Sequence, residues 1–301
     1  MSAPLRVARE VADALARGGP VVCLETTLVA HGFPQGEGVL VGESSEAAVR
    51  AAGAVPATVG ILDGVVVVGL TSDELRRFGD AGSAARKAGA RDLAACCVQG
   101  AIGATTVGGT LAAVRRLGIE VMATGGLGGV HREFPSPPDV SSDLGELART
   151  RIAIVSCGVK SLLDVPATSE LLETLGIPVL GYRTDTLPLF YAAAGGPPVS
   201  ARVESVAEAA AIARAHWKLG SAGAIALARP PEPSLDDVEP LIEEALAEAA
   251  GQGVRGPAIT PFVLARLHER SEGRTLRANR ELIVGNAALA GELAVALAAA
   301  A

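Results

Sequence analysis

The chain has 301 residues, of which 49% are hydrophobic, and carries a formal net charge of −7. This length allows a sizeable core, and the composition is that of a soluble globular protein. Its acidity and its singly scattered basic residues argue against nucleic acid as a partner and favour a small molecule. No apolar run reaches the 18 or so residues of a membrane span, and residues 1–19 lack a signal-peptide core. We therefore expect no membrane association and a cytoplasmic location.

Apolar runs that resemble strands alternate with alanine-rich helical patterns, which predicts an α/β fold with a largely parallel or mixed sheet. The predicted strands are 20–25, 57–62, 64–69, 119–123, 152–157, 177–181 and 224–228, with a turn at Asp63-Gly64 between the second and the third. The predicted helices are 5–18, 38–53, 72–79, 108–117, 167–175, 204–219, 236–251, 260–272 and 278–299.

The domain organisation follows from the absence of a long linker. The Pro-rich stretch at 228–237 lies between a predicted strand and a predicted helix, so we expect a loop within one domain. A single catalytic domain, 1–301, is predicted, with the C-terminal helices as a separable layer as the alternative. The four cysteines lie in apolar contexts without disulfide or zinc spacing and are expected to be reduced core residues.

A carboxylate, Glu25, ends the first predicted strand, in VVCLETTLVAHG at 21–32. Ligands of open α/β sheets gather at the carboxyl ends of strands. Burial there would raise the pKa of a glutamate and let it hold a proton for delivery as a general acid. The alternative is a buried glutamate that is paired with a lysine or arginine for structural reasons.

Lys160 follows another predicted strand, in IVSCGVKSLLD, and is expected at the start of a helix. The positive end of a helix dipole disfavours a protonated amine, and a lysine nucleophile must be neutral. The alternative is a surface lysine at a helix start.

Two carboxylates, Asp139 and Asp143, bracket Ser141 and Ser142. Carboxylate and hydroxyl oxygens suit Mg²⁺ or Mn²⁺ better than zinc. The alternative is a helix N-cap at one of the serines, and capping and metal binding can coexist.

A hydroxyl- and glycine-rich segment, ATTVGGTLAAV at 104–114, leads into a predicted helix, where free backbone N–H groups can bind a phosphate. Lys87 and Arg91 are candidates for its counter-charge, although threonine-rich helix starts are also common caps. His31 and His131 follow predicted strands or glycine-rich segments, and we expect them at the rim of a pocket.

Seven segments have a specific order along the chain: LETTLVAHGFP (24–34), PATVGILDG (56–64), ATTVGGT (104–110), ATGGLGGVHRE (123–133), DVSSDLGELART (139–150), CGVKSLLDVPAT (157–168) and GIPVLGYRTDTLPLFY (176–191). Together with NRELIVGNAALAGELA (279–294), they resemble the pseudouridine-5′-phosphate glycosidase family, which includes proteins associated with indigoidine pigment clusters. The resemblance implies a three-layer α/β/α homotrimer.

The resemblance also implies an activity, namely reversible cleavage of the C–C glycosidic bond of pseudouridine 5′-phosphate to uracil and ribose 5-phosphate, through a lysine adduct. Such an enzyme is classed as a carbon–oxygen lyase of the hydro-lyase type and uses a divalent metal, usually Mn²⁺. By the same resemblance, Glu25 is the proton donor, Lys160 the nucleophile and Asp139 the metal-associated carboxylate. The implied substrate contacts are Lys87, Val107, Ser141, Ser142, Asp143 and Asn286, with Asn279 as a further asparagine of the same segment.

The chain departs from the family's usual pattern in several places, and two altered segments bear most directly on the substrate. The lysine-led loop is KAGARDLA at 87–94, and ARPPEP at 228–233 has Arg229 where an asparagine is usual. Two other functions therefore remain open: an imine-forming lyase that acts on another sugar phosphate, and a non-catalytic binding protein of a pigment cluster.

Overall fold

The computed structural model describes residues 4–132, 138–254 and 258–299. Eleven strands form one mixed sheet and two short strands form another. The strands are β1 (Leu5–Val7), β2 (Val21–Glu25), β3 (Val55–Leu62), β4 (Val65–Val68), β5 (Arg86–Ala88), β6 (Gly103–Thr105), β7 (Val121–Ala123), β8 (Val130–His131), β9 (Ala153–Ser156), β10 (Leu163–Asp164), β11 (Val179–Tyr182), β12 (Ala201–Val203) and β13 (Ile225–Ala228).

The α-helices cover both faces of the large sheet. They are α1 (Arg9–Ala16), α2 (Thr27–His31), α3 (Glu37–Ala51), α4 (Ser72–Ala81), α5 (Leu93–Val98), α6 (Val107–Val114), α7 (Ser142–Leu147), α8 (Val165–Thr174), α9 (Val206–Lys218), α10 (Glu239–Gly251), α11 (Ile259–Arg270) and α12 (Arg274–Ala299).

The large sheet has the strand order β1-β4-β3-β2-β7-β9-β13-β11-β12, with β6 also pairing with β3 and β5 pairing with β6. All pairs from β3 through β2 to β12 are parallel, and β3 is antiparallel to β4 and β6. The predicted turn is confirmed: Asp63 and Gly64 have φ values of 53° and 78°, which are typical of a two-residue type I′ hairpin. The carboxyl ends of β2, β7, β9 and β13 therefore meet at one edge of the sheet.

Side-chain alternation along β2 explains the three layers. Val21 and Cys23 pack in the core that contains α1, α6 and α7, whereas Val22 and Leu24 pack with α9 and α12. Successive side chains of a strand point to opposite faces, so an almost fully apolar strand must be covered by helices on both sides. The prediction of a three-layer α/β/α fold is confirmed.

The prediction of one helix over 5–18 is wrong at its beginning. Leu5–Val7 forms the parallel edge strand β1, with Leu5 opposite Val66, and the helix starts only at Arg9. The N–H of Val66 donates to the carbonyl of Pro4, and the N–H of Ala8 donates to that of Val68. Pairing with the otherwise open edge of β4 satisfies these backbone groups, which a longer helix would leave unpaired.

Helix α12 is long and apolar enough to cross a membrane by length and composition, with a mean hydropathy of 1.8, contrary to the expectation that the chain has no such stretch. In the fold it packs against α3, α9 and the strands β2, β7 and β9, and over half of its most apolar window is buried. Its hydrophobic character therefore serves the protein core.

Candidate active site

A cavity of about 550 Å³ lies where the carboxyl ends of β2, β7 and β9 meet, a size typical of small-molecule sites. Its apolar walls come from α2, α11, α12 and the loop after β11. Its polar lining includes the side chains of Glu25, Thr27, His31, Lys87, Thr124, Lys160 and Asn279. The two residues expected to carry catalysis, Glu25 and Lys160, thus line the same cavity.

Glu25 is the last residue of β2, and only 6% of it is exposed. Its Oε1 accepts a hydrogen bond of 2.5 Å from Thr124 Oγ1, and within the described ranges its carboxyl group forms no ion pair. Burial raises the pKa of Glu25, whereas the charge of Lys160, the hydrogen bond from Thr124 and the charge of Lys87 act in the opposite direction. Because burial prevails, this carboxyl group keeps its proton to a higher pH than a free glutamate. The alternative of a structural ion pair is not what the geometry shows.

Lys160 does not stand at a helix start, so that prediction is wrong. The following helix, α8, begins at Val165 with Asp164 as its N-cap, and residue 160 lies in the loop between β9 and β10. The loop runs beside the segment after β7: the N–H of Lys160 donates to Leu127 O at 3.1 Å. Backbone pairing with that neighbouring segment, and not a helix dipole, sets the position of the amine.

Lys87 lies on the short strand β5, and it is half-buried in the cavity wall. Burial lowers the pKa of Lys87, and the nearby charge of Lys160 lowers it further, while Asp143, Glu25 and Asp139 oppose the shift. The two lysines and these three carboxylates therefore act on one another at the same end of the sheet. Arg91, the other suggested counter-charge, has an 89% exposed side chain and lies 3.9 Å from Asp92.

The N-terminus of α6 is already occupied by protein groups. Asp143 Oδ1 accepts a hydrogen bond from Gly108 N at 2.8 Å, and Thr106 Oγ1 accepts one from Gly109 N at 3.1 Å. A carboxylate at this position also compensates the positive end of the helix dipole. Two of the N–H groups expected to bind a phosphate are thus engaged, and Val107, the first residue of α6, is 1% exposed.

The serine-rich segment forms the predicted N-cap. Ser141 Oγ accepts a hydrogen bond from Asp143 N at 3.3 Å and caps α7. A Cβ placed on Gly128 would lie 2.3 Å from Ser141 Oγ, and one placed on Gly89 would lie 3.4 Å from Ser142 Oγ. Ser141 therefore lies so close to Gly128 that a side chain there would clash, whereas Ser142 makes an ordinary contact with Gly89. Among the described residues, neither serine lines the cavity.

Asp139 is the one carboxylate of this segment with a solvent-accessible side chain, 35% exposed. Its Oδ2 lies 3.7 Å from His131 Nδ1, and its carbonyl accepts from the N–H of His131 at 3.0 Å. Within the described ranges, no group of three or more His, Cys, Asp or Glu side chains is placed to hold a metal ion. A single accessible carboxylate fits a hard cation such as Mg²⁺ or Mn²⁺ that keeps most of its waters, and does not fit a closed zinc cage.

The two asparagines of α12 have different surroundings. Asn286 is fully buried, and its Nδ2 donates to Thr124 O at 2.9 Å and to Gly125 O at 3.3 Å. Asn279 lines the cavity, is 3% exposed, and its Oδ1 has no hydrogen-bond partner among the described residues. A buried acceptor without a partner is costly, so Asn279 is ready to accept from a ligand or a water molecule. Asn286 reaches the cavity through the backbone at 124–125.

Arg229 lies behind the cavity lining, next to Cys157. Cys157 Sγ donates to Asn286 Oδ1 at 3.4 Å, and a Cβ placed on Gly285 would lie 2.8 Å from Arg229 Nη1. Burial raises the pKa of Cys157 to about 11, with the charge of Arg229 acting against that shift. The residue that replaces the usual asparagine therefore contacts the groups that orient Asn286.

Two cavity residues, Thr124 and Phe190, were not identified from the sequence. Thr124 directly follows the predicted strand 119–123, so the rule that selected Glu25 could have found it. Phe190 carries no such signal, because its position depends on the loop after β11. His31 lies at the cavity as expected, with Nε2 3.0 Å from Ala85 O, and burial lowers its pKa.

Known proteins resemble this chain over nearly its whole length. The family profile described as "Indigoidine synthase A like protein" matches residues 10–296. Two proteins named pseudouridine-5′-phosphate glycosidase, from Chloroflexus aurantiacus and Streptomyces griseus, are 46% and 48% identical to it; the matches cover 97% and 96% of this chain and 98% and 91% of theirs.

Solved structures share the fold as well. The prealnumycin C-glycosynthase AlnA, solved in complex with ribulose 5-phosphate, is 41% identical with a TM-score of 0.89. An indigoidine synthase A-like protein from Thermotoga maritima is 38% identical with a TM-score of 0.87. Each match covers 98% of this chain and 97% of the solved chain.

Proposed function

Because the chain belongs to the indigoidine synthase A-like family, we infer that it is a pseudouridine-5′-phosphate glycosidase. It cleaves the C–C glycosidic bond of pseudouridine 5′-phosphate to uracil and ribose 5-phosphate. The observation that carries this assignment is the pairing of a buried, proton-retaining Glu25 with the amine of Lys160 in one cavity. The reaction needs an acid to open the sugar ring and an amine nucleophile to bond to C1′.

The proposed reaction begins with the opening of the ribose ring. Glu25 donates its proton to the ring oxygen as the C1′–O bond breaks, which leaves a hydroxyl group on the sugar. The unprotonated amine of Lys160 bonds to C1′, and the proton that its nitrogen then loses returns to the Glu25 carboxylate. The loss of one ring bond and the gain of one C–N bond keep C1′ tetravalent, and the base is still attached.

The second stage releases the base. Glu25 donates its regained proton to C5 of uracil, and the C1′–C5 bond breaks with its electron pair going to the base. The lone pair of the Lys160 nitrogen forms a protonated C1′=N imine. Water then adds to C1′ and displaces the lysine, which yields ribose 5-phosphate. In reverse, the enzyme joins uracil to ribose 5-phosphate and releases water, which is the reason to class it with the hydro-lyases.

The other charged groups have roles in binding. Lys87 lines the cavity and, when protonated, is placed to offset a phosphate, which the carboxylate of Asp143 alone would repel. Thr124 holds the Glu25 carboxyl in place, and Asn286 holds the backbone of Thr124. Ser141, Ser142, Asp143 and Val107 are proposed to contact the substrate from the side of α6 and α7.

We propose Mn²⁺ as the metal, with Asp139 as its protein ligand. When bound, a divalent cation supplies positive charge near an anionic substrate. His131, 3.7 Å from the Asp139 carboxylate, is placed to orient that ligand.

Replacing Asp139 with alanine is expected to raise the Mn²⁺ concentration needed for half-maximal activity by about tenfold or more, because one ligand or its water contact is lost. Titration of activity with Mn²⁺ measures the effect. Asp80→Ala is the matched control, since Asp80 is an exposed carboxylate on α4 that does not line the cavity. Identical Mn²⁺ curves for Asp139→Ala and the wild type would rule out the ligand role.

The experiment that tests the function is a measurement of uracil release from pseudouridine 5′-phosphate, with and without Mn²⁺. The two other functions separate from it in the synthetic direction. A lyase for another sugar phosphate would trap ribose 5-phosphate on a lysine but would not couple it to uracil, and a non-catalytic binding protein would do neither. The names of the relatives favour the glycosidase.

The assembly and the location belong to the same proposal. We propose a cytoplasmic homotrimer. Three exposed apolar side chains are candidates for burial at contacts between subunits: Leu40, Val98 and Leu219 are 57%, 88% and 89% exposed. Light scattering coupled to size-exclusion chromatography measures the mass, and a monomer of 30.2 kDa would contradict the trimer.

A further inference from the structure

Phe190 has a backbone conformation that non-glycine residues seldom adopt, with φ at 65°. The loop around it is fixed by backbone hydrogen bonds: Phe190 N donates to Cys157 O at 3.0 Å, and Leu189 N donates to Ala192 O at 2.9 Å. Such conformations persist only where the surroundings impose them, and they cluster at functional sites. The direction of this side chain is therefore imposed by the end of β9, the strand that leads to Lys160.

The ring of Phe190 lines the cavity directly beside the proposed nucleophile. A Cβ placed on Gly126 would lie 2.5 Å from Phe190 Cδ2 and 3.4 Å from Lys160 Cγ, so the ring and the lysine stem both flank this glycine. The ring also meets Tyr191 edge to face, with centroids 4.7 Å apart at 85°. These contacts fix the orientation of the Phe190 ring.

Beside Phe190, the cavity wall includes Ile283 of α12, and Asn279 of the same helix adds a hydrogen-bond acceptor. A Cβ placed on Gly125 would lie 3.1 Å from Ile283 Cγ1 and 3.4 Å from Phe190 Cε2, so both side chains cover that glycine. Asn279 lies one helical turn before Ile283, and its buried Oδ1 lacks a partner among the described residues. The cavity thus combines a flat apolar surface with a hydrogen-bond acceptor for an N–H group.

We propose that Phe190 is the surface on which the uracil ring of the substrate stacks, which adds the means of base recognition to the proposed function and rests on it. A pyrimidine has planar π faces and N–H groups at its edge, whereas the sugar phosphate is charged and has no flat face. Stacking on Phe190 places the base next to the lysine that must reach C1′. Asn279 accepts a hydrogen bond from the base edge.

The test compares Phe190→Leu, which keeps an apolar side chain but removes the flat face, with Phe190→Tyr, which keeps the face. In the synthetic direction, Phe190→Leu is expected to raise the KM for uracil by about 10- to 100-fold, the range of base–aromatic stacking. Borohydride trapping of ribose 5-phosphate on Lys160 needs no base and is expected to be unchanged. Phe190→Tyr should resemble the wild type in both assays.

A matched control separates recognition from packing. Leu189→Ala removes a half-buried neighbour of the same loop that does not line the cavity, so it should lower the unfolding midpoint without changing the KM for uracil. An unchanged KM for uracil in Phe190→Leu, or equal losses of uracil affinity and of trapping, would overturn the stacking role. If the wild-type protein traps no ribose 5-phosphate, the proposed function itself is wrong.

The wild-type protein supplies a second measurement that does not depend on the folding of any variant. 5,6-Dihydrouracil keeps the imide edge of uracil but loses the planar π system. Its inhibition constant in the synthetic direction is expected to be about tenfold or more above the KM for uracil. Equal affinities for the two bases would overturn the proposal.

Discussion

Replacing Lys160 with alanine is expected to lower uracil release by about 10³-fold or more while leaving the fold intact, because the variant lacks the amine that bonds to C1′ in the proposed mechanism. The residue lies in a loop held by its backbone, and its side chain faces a cavity, so its removal breaks no packing contact that the core needs. Uracil release and the unfolding midpoint measure the two halves of this expectation. A variant with a nearly unchanged rate would reject the assignment.

The chain is well suited to identifying the reacting amine, since it contains only three lysines: Lys87, Lys160 and Lys218. Borohydride reduction in the presence of ribose 5-phosphate should add the sugar mass to the peptide that contains Lys160. Lys87→Arg is the matched control, because it keeps a cation in the cavity but removes the second amine. We expect that variant to form the adduct still, and an adduct found on Lys87 in the wild type would contradict the mechanism.

The sequence was sufficient to place Glu25 and Lys160 in one site, because the geometry of a parallel sheet brings the residues that follow its strands together. Apolar runs that contain Val and Ile must be buried strands, and their carboxyl ends converge at one edge. Any polar residue that directly follows such a strand is therefore brought near the others. Thr124 satisfies the same rule after β7.

The remainder could not be read from the sequence because it depends on partners distant along the chain. Four of the three-residue strands, β1, β5, β6 and β12, are too short to show a period, and each exists because a neighbouring strand offers open backbone groups. The prediction of a helix start at Lys160 failed because β10 has only two residues. A strand that short cannot be recognised in a sequence next to the longer helical pattern that follows it. Asn286 binds backbone carbonyls 161 and 162 positions away, so its role depends on tertiary packing.

Replacing Glu25 with glutamine is expected to reduce uracil release by about 10²- to 10⁴-fold, the usual contribution of a positioned general acid. Glutamine keeps the shape and can still accept from Thr124 Oγ1, so the loss would reflect the missing proton. The wild-type rate should fall as pH rises through the raised pKa of Glu25, and this limb of the pH profile should vanish in the variant. A retained limb would assign it to another group.

Thr124→Val is the matched variant for this pH dependence. Its hydroxyl donates to the Glu25 carboxylate and so lowers the pKa that burial raises. Without that hydrogen bond, the pKa of Glu25 should rise further, and the high-pH limb should move to a higher pH. A limb that moves to a lower pH would contradict the role of Thr124.

The same burial makes a prediction for stability with a defined sign. The pKa of Glu25 is higher in the folded protein than in the unfolded chain, where a glutamate titrates at about 4.3. The stability that this proton contributes is therefore fully present below that pH and is lost as pH rises through the folded-state pKa. Glu25→Gln has no such loss, so its free energy of unfolding, measured by urea denaturation, should increasingly exceed that of the wild type as pH rises. Parallel curves for the two proteins would mean that the folded protein does not raise the pKa of Glu25, and the acid of the proposed mechanism would have to be sought elsewhere in the cavity.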